Sequence, residues 1–128
     1  MRILFVCIEN AGRSQIAQAF AKKIAPPGVE IFSAGSRPAE AIHPVAVEVM
    51  RERGIDLSQN RSKGLTDLPP VQWDYIVTMG CGDACPIVPS RAKIDWQIPD
   101  PKNMPLPEFR QVCDQLEAKI RELISMLY

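Results

Sequence analysis

The chain has 128 residues, about the size of one globular domain, so we expect residues 1–128 to form a single domain. Apolar residues make up 46% of the sequence, enough for one core, and 15 basic side chains balance 15 acidic ones. This balance argues against a nonspecific nucleic-acid binder and a polybasic membrane binder. No apolar run approaches the roughly 20 residues of a membrane span, and the first residues lack the pattern of a secretory signal. We therefore expect a cytoplasmic protein whose four cysteines are kept reduced.

Hydrophobic periodicity predicts alternating strands and helices along the chain. The predicted strands cover residues 2–6, 29–33, 74–79 and 93–98, and the predicted helices cover residues 14–25, 44–53 and 109–127. Strands that alternate with helices imply βαβ units with right-handed crossovers. We therefore predict an α/β fold with a doubly wound, four-stranded parallel sheet and helices on both faces.

The segment between the first strand and the first helix carries the first candidate site. In doubly wound sheets, ligands bind at the carboxyl ends of strands, and the free amides of a helix start attract anions. There Cys7 is expected to act as a nucleophilic thiolate, Arg13 offers a bidentate fork for an oxyanion, and Asn10 can brace the loop in a left-handed turn. The predicted anion-binding loop beside Cys7 consists of Ile8, Glu9, Asn10, Ala11, Gly12, Arg13 and Ser14.

This Cys-x5-Arg-Ser loop with an internal asparagine resembles the phosphate-binding loop of the low-molecular-weight tyrosine phosphatases. It is also similar to that of the arsenate reductases built on the same fold. The order of the elements fits this family over nearly the whole chain, which implies a low-molecular-weight tyrosine phosphatase-like fold. The alternative interpretation is a buried Cys7 at a strand end and a solvated Arg13. Because a carboxylate aimed at an anion would repel it, we expect the side chain of Glu9 to face solvent.

A second motif, Cys81 and Cys85 with Gly80 and Gly82, follows the third predicted strand and opens at the same sheet edge as Cys7. Cysteines at this spacing can exchange a disulfide, and the glycines let the backbone rearrange. The motif resembles the redox segment of the thioredoxin-coupled arsenate reductases. In the best-known members the two cysteines are farther apart, so which of them attacks Cys7 first stays open. Half of a zinc site and two inert buried thiols are the alternatives.

The dipeptide Asp100-Pro101 forms the third motif. It resembles the general acid of this family, which protonates the oxygen that leaves the central atom. Tyrosines usually follow this pair in the phosphatases, whereas Lys102, Asn103 and Met104 follow it here. The wall that binds an aryl group is therefore missing, which favours a small inorganic substrate. The alternative interpretation is that Asp100-Pro101 is only a turn.

Other polar and sulfur-bearing residues are given structural roles. Cys113 lies on the apolar stripe of the last helix and is interpreted as a buried hydrophobic residue, and His43 as a cap of the second helix. Some family members hold a structural potassium ion through carboxylates near the loop. Gln18 and Lys63 stand at those places here, so we predict no bound metal and no dependence on potassium.

The resemblance implies reduction of arsenate to arsenite. Cys7 attacks arsenate held by the loop amides and Arg13, while Asp100 protonates the leaving oxygen. Cys81 then attacks Cys7 and releases arsenite, and Cys85 attacks Cys81 in turn. An external thiol donor such as thioredoxin resets the enzyme.

The same resemblance also gives the expected partners and the alternative functions. We expect no bound organic cofactor, a monomer, and competition by phosphate and sulfate. Mycothiol and glutaredoxin remain possible thiol donors. The first rival is a tyrosine phosphatase or small phosphate-ester phosphatase. The second is a non-catalytic oxyanion-binding or phosphocarrier module.

Overall fold

Within residues 1–80 and 90–128, which the computed structural model describes, the chain contains four strands and three α-helices. No helix in this part of the chain is long and apolar enough to cross a membrane. The strands are β1 (Arg2–Cys7), β2 (Glu30–Gly35), β3 (Trp73–Thr78) and β4 (Ser90–Asp95). The helices are α1 (Arg13–Ile24), α2 (Pro44–Glu52) and α3 (Leu106–Leu127), and a short 3₁₀ helix covers Leu65–Asp67.

The four strands form one parallel sheet in the order β2-β1-β3-β4. The last residue of β1, Cys7, pairs with Gly35 at the end of β2, and Val6 pairs with Thr78 at the end of β3. After β1 the chain forms β2 as its neighbour in one direction, and it later returns to form β3 as the neighbour of β1 in the other direction. This reversal places the loop after β1 at the crevice where ligands bind in doubly wound sheets.

The side chains of β1 alternate between two cores, as expected for a strand that is buried on both faces. Ile3, Phe5 and Cys7 pack with the buried side chains of all three α-helices. Leu4 and Val6 belong to a second, smaller core. In the described residues, the 3₁₀ helix and the residues beside it cover this second core, which consists of Leu4, Val6, Ala34, Trp73 and Ile76 with Leu65, Leu68 and Val71 packed against it.

The prediction of a four-stranded parallel α/β sheet is confirmed, and every predicted element boundary lies within three residues of the observed one. The fourth strand was predicted over residues 93–98 and instead runs from Ser90 to Asp95. It pairs with β3 alone at the edge of the described sheet, and its exposed Arg91 and Lys93 hide the apolar pattern of a strand. Just beyond β4, the backbone N–H of Trp96 donates to the backbone oxygen of Thr78, and the side chain of Trp96 packs into the core.

Candidate active site

The loop after β1, residues 7–14, is held by its backbone carbonyl groups and is called the anion loop below. The oxygens of Ile8, Glu9 and Ala11 accept hydrogen bonds of 2.8–2.9 Å from backbone N–H groups of residues 37–43. The backbone N–H groups of residues 8–14 have no acceptor among the residues that the structure describes. α1 also begins without a side-chain cap and without an acidic residue in its first turn. These amides are therefore available to an anion.

Gly35 supports the anion loop from behind, and its role was not predicted from the sequence. A Cβ atom on Gly35 would lie 2.5 Å from the oxygen of Ile8 and 2.8 Å from the nitrogen of Asn10. The loop therefore packs directly on the glycine backbone. A glycine at the end of an apolar strand gives little indication of such a contact, because the anion loop that packs on it lies more than 20 residues earlier in the sequence.

Asn10 braces the anion loop from within, as its sequence position predicted. It has a φ of 51°, and its side chain is completely buried. Its Oδ1 accepts hydrogen bonds of 2.8 Å from Nε2 of Gln15 and from the backbone N–H of Lys63, and its Nδ2 donates to Oγ of Ser14 at 2.7 Å. Gln15 is equally buried. Its role was not predicted, because a glutamine in the first turn of a helix is not by itself a sign of a buried hydrogen bond.

Cys7 is the first residue of the anion loop, and 3% of its surface is exposed. Its Sγ is 2.8 Å from Oγ of Ser14. Since Nδ2 of Asn10 donates to that same oxygen, the hydroxyl hydrogen of Ser14 is available to the sulfur. The first turn of α1 thus provides a hydrogen-bond donor to the sulfur of Cys7.

Arg13 connects the anion loop to the two segments across the cleft. Its Nη1 donates to the backbone oxygens of Met79 at 2.5 Å and Ile98 at 3.0 Å, and its Nη2 is 3.9 Å from Oδ2 of Asp100. Gly80 lies against this guanidinium with a φ of +72°, and a Cβ there would be 3.2 Å from Nη1. Nε and Nη2 of Arg13 have no hydrogen-bond acceptor in the described part of the chain, so they can bind two oxygens of one oxyanion.

Residues 98–102, called the acid loop below, form the opposite wall. Asp100 accepts a hydrogen bond of 3.1 Å from the backbone N–H of Lys102, and 57% of its side chain is exposed. The Nζ of Lys102 is 3.0 Å from a carboxylate oxygen of Glu9, whose side chain is half-exposed. His43 caps α2 as predicted, since its Nδ1 accepts from the N–H of Val45. Its Nε2 therefore carries the hydrogen and donates to the oxygen of Lys102 at 3.2 Å.

Three of the predicted catalytic residues, Cys7, Arg13 and Asp100, line one cleft. Asn10 and Ser14 support it from behind, and Cys81 and Cys85 lie outside the described residues. The cleft is lined by Cys7, Ile8, Glu9, Ala11, Gly12, Arg13, His43, Asp100, Pro101, Lys102 and Phe109.

Gln18 and Lys63 stand where some family members have the carboxylates that bind potassium. Oε1 of Gln18 accepts a hydrogen bond of 2.5 Å from Oγ of Ser33. Lys63 donates through Nζ to the oxygen of Arg61, and burial lowers the pKa of Lys63. Among residues 1–80 and 90–128, no cluster of His, Cys, Asp and Glu could hold a metal ion. Independence of potassium stays a prediction.

Among the described residues, a buried cysteine lies beside loop amides without an acceptor and an arginine fork, at the switch point of a parallel sheet. This arrangement is typical of an oxyanion-binding site. A model of the low molecular weight phosphotyrosine protein phosphatase family matches residues 2–128. The chain belongs to this family.

Among the relatives, arsenate reductases recur. The chain is 32% identical over 129 residues to the glutaredoxin arsenate reductase of Synechocystis, covering 98% of each protein. It is 31% identical to the structure of an arsenate reductase in its oxidized state, with a TM-score of 0.87 over 99% of this chain and 98% of the other. It is 38% identical to the thioredoxin-dependent arsenate reductase of Corynebacterium glutamicum, with a TM-score of 0.75 over 98% of this chain and 60% of the other.

Proposed function

We propose that this protein reduces arsenate to arsenite, using Cys7 as the nucleophile and a thiol relay as the source of electrons. The observation that carries the proposal is the position of Cys7, whose sulfur lies 2.8 Å from the Ser14 hydroxyl beside amides with no acceptor in the described chain. The arsenate reductases named above, which share the fold and at least 31% of the sequence, favour arsenate as the oxyanion.

In the first step, the Cys7 thiolate attacks the arsenic atom of arsenate and forms an S–As bond. The loop amides and the Nε and Nη2 donors of Arg13 hold the oxygens and stabilise the charge that develops on them. Asp100 gives its proton to the leaving oxygen, which departs as water. Asp100 is suited to this role because it faces both Arg13 and solvent.

In the second step, two electrons reach arsenic through sulfur. The Cys81 thiolate attacks Sγ of Cys7, so a disulfide forms while the electron pair of the S–As bond stays on arsenic, which leaves as arsenite. The Cys85 thiolate then attacks Cys81, which gives the Cys81–Cys85 disulfide and returns Cys7 to its thiolate form. The assignment of these steps to Cys81 and Cys85 rests on the resemblance of their motif to the redox segment of the thioredoxin-coupled arsenate reductases.

An external dithiol must then reduce the final disulfide, so the protein needs no bound organic cofactor. Thioredoxin is the proposed donor, and glutaredoxin is the rival, since relatives that depend on each of them resemble this chain. We further propose a single domain over residues 1–128 that acts as a cytoplasmic monomer, with phosphate and sulfate as competitors.

The relay is tested by trapping it. In Cys85→Ser, we expect one equivalent of arsenite per protein and then little thioredoxin-coupled turnover, with peptide mapping that shows Cys7 joined to Cys81. Cys81→Ser should fail earlier unless Cys85 reaches Cys7 directly. Cys113→Ser is the matched control and should turn over like the wild type, because Cys113 is completely buried and does not line the cleft. Full arsenate reduction by both Cys81→Ser and Cys85→Ser would overturn the relay.

A phosphatase is the second candidate, because the family description and the cleft formed by Cys7, Arg13 and Asp100 also suit phosphate esters. Hydrolysis of p-nitrophenyl phosphate, measured beside arsenate reduction with thioredoxin, separates the two. Rapid ester turnover without reductase activity would favour the phosphatase, with Cys81 and Cys85 as spare thiols.

A further inference from the structure

An ion pair between Glu9 and Lys102 joins the two walls of the cleft. Glu9 belongs to the anion loop and Lys102 to the acid loop, and both line the cleft. The Nζ of Lys102 lies 3.0 and 3.3 Å from the two carboxylate oxygens of Glu9, across 93 positions of sequence. The mechanism above uses neither side chain.

We propose that the Glu9–Lys102 pair determines substrate specificity by admitting a small tetrahedral oxyanion and rejecting the organic group of a phosphate monoester. The inference rests on the proposed function, because it assumes that Asp100 protonates the leaving oxygen. In an ester, that oxygen carries the organic group, which must extend past Asp100 toward Lys102. In arsenate, the same oxygen carries only hydrogen and needs no room beyond it.

The backbone of Lys102 is fixed from two sides, so its side chain starts from a defined place. Its N–H donates to Oδ1 of Asp100 at 3.1 Å, and its oxygen accepts from Nε2 of His43 at 3.2 Å. The His43 ring lies 5.8 Å from the ring of Phe109, another residue of the cleft wall. The side chain of Lys102 therefore reaches Glu9 from an anchored backbone beside the proton donor.

The charges of the pair explain how it can occupy the cleft of an anion-binding site. Glu9 alone would repel an oxyanion, and Lys102 alone would attract one, whereas the pair adds no net charge. Both side chains are half-exposed, at 41% and 49%, so the contact is screened by solvent and salt. We infer that it acts by occupying space and contributes little to stability.

Two single variants test whether the ion pair holds both side chains across the cleft. Glu9→Gln and Lys102→Met both break the ion pair and release the two side chains from their joint position across the cleft, so both should raise kcat/KM for p-nitrophenyl phosphate, by roughly tenfold. Their effects on phosphate binding should have opposite signs. Glu9→Gln should strengthen, and Lys102→Met weaken, the protection of Cys7 from iodoacetamide by inorganic phosphate, each by roughly threefold to tenfold.

Two further variants serve as rescue and control. The double variant Glu9→Lys/Lys102→Glu rebuilds the ion pair with its charges exchanged, and ester turnover should fall back toward the wild-type rate. The matched control is Glu52→Gln, which breaks the pair of Glu52 and Arg110 between α2 and α3. That pair has a similar exposure of 41% and 43%, and neither residue lines the cleft, so ester turnover should not change.

The outcomes are distinguishable from a failure of the proposed function. Unchanged ester turnover in both single variants, or changes of opposite sign, would overturn the role of the pair in specificity. If the wild type reduces no arsenate, the proposed function fails, but ester turnover and phosphate protection still decide the role of the pair. Increased ester turnover in both single variants, reversed in the double variant, supports it.

Discussion

The anion loop and the acid loop face each other across one cleft but are held in different ways. The anion loop is tied by backbone hydrogen bonds to residues 37–43, and the side chain of the completely buried Asn10 makes three hydrogen bonds, with Ser14, Gln15 and Lys63. The acid loop carries an Asp100 that is 57% exposed, and its described ties to the anion loop pass through Arg13 and Lys102. The anion loop is thus held by backbone hydrogen bonds and a buried side chain, whereas the acid loop is tied to it through the side chains of Arg13 and Lys102.

This difference matches the two tasks that we propose for the site. Donors that stabilise charge in a transition state are most effective when they need no reorganisation, which requires a rigid anion loop. A general acid must recover a proton from solvent after each turnover, which requires exposure. Loss of the proton donor in the acid loop should therefore affect the rate of chemistry, whereas changes in the backbone support of the anion loop should also affect oxyanion binding and folding.

The largest effect is expected for Asp100→Asn, which removes the proton and keeps the oxygen that accepts from Lys102. We expect arsenate reduction to fall on the order of 10²–10⁴-fold in a single-turnover assay. Protection of Cys7 from iodoacetamide by phosphate should stay near the wild-type level, because the anion loop is intact. Near-normal turnover would show that Asp100-Pro101 is only a turn.

Arg13→Lys should affect both walls, since Arg13 belongs to the anion loop and contacts Ile98 and Asp100 of the acid loop. A lysine keeps the charge but loses the fork, and it cannot donate to Met79 and Ile98 while also holding two oxygens of an anion. We expect a rate loss of roughly 10²-fold or more. Unlike Asp100→Asn, this variant should also lose phosphate protection of Cys7. Retained protection would mean that the amides alone bind the anion.

The parts of the site that are local in sequence could be predicted from the sequence. Cys7, Asn10, Arg13 and Ser14 stand within one strand-to-helix connection, so their spacing already restricts their geometry. The positive φ of Asn10 also followed from its residue type. Asp100 was predicted from the resemblance of Asp100-Pro101 to the general acid of the family, in a loop that follows the last predicted strand.

The parts that depend on tertiary packing could not be predicted. Gly35 has an ordinary φ, and its requirement arises only because the anion loop packs on it. The Glu9–Lys102 pair joins residues 93 positions apart, and each alone looks like a solvated charge. The start of β4 was missed for a related reason, because an edge strand with exposed Arg91 and Lys93 lacks a continuous apolar run.

Gly35→Ala should break the rigid wall from behind without touching a reacting group. The new methyl group would lie 2.5 Å from the oxygen of Ile8, which is backbone and cannot move aside cheaply. We expect a loss of roughly 1–3 kcal/mol in the free energy of unfolding, measured with urea, and weaker phosphate protection of Cys7. The control for stability is Gly12→Ala in the same loop, where a Cβ atom meets nothing within 4 Å. Equal stability of the two variants would show that the loop does not depend on close contact with Gly35.

The smallest effect concerns Cys113, a buried thiol that lacks the donors around Cys7. Burial raises the pKa of Cys113 from 9.0 to about 11, so the folded protein retains a proton there that the unfolded chain loses. The stability that this thiol contributes is therefore complete below pH 9 and is lost as the pH rises from 9 through 11. Between pH 8 and pH 10.5, we expect the wild type to lose about 2 kcal/mol more than Cys113→Ser in urea unfolding, because serine does not ionise in this range. The serine variant corrects for every other group that titrates in this range. Parallel pH profiles would mean that Cys113 can ionise within the folded core.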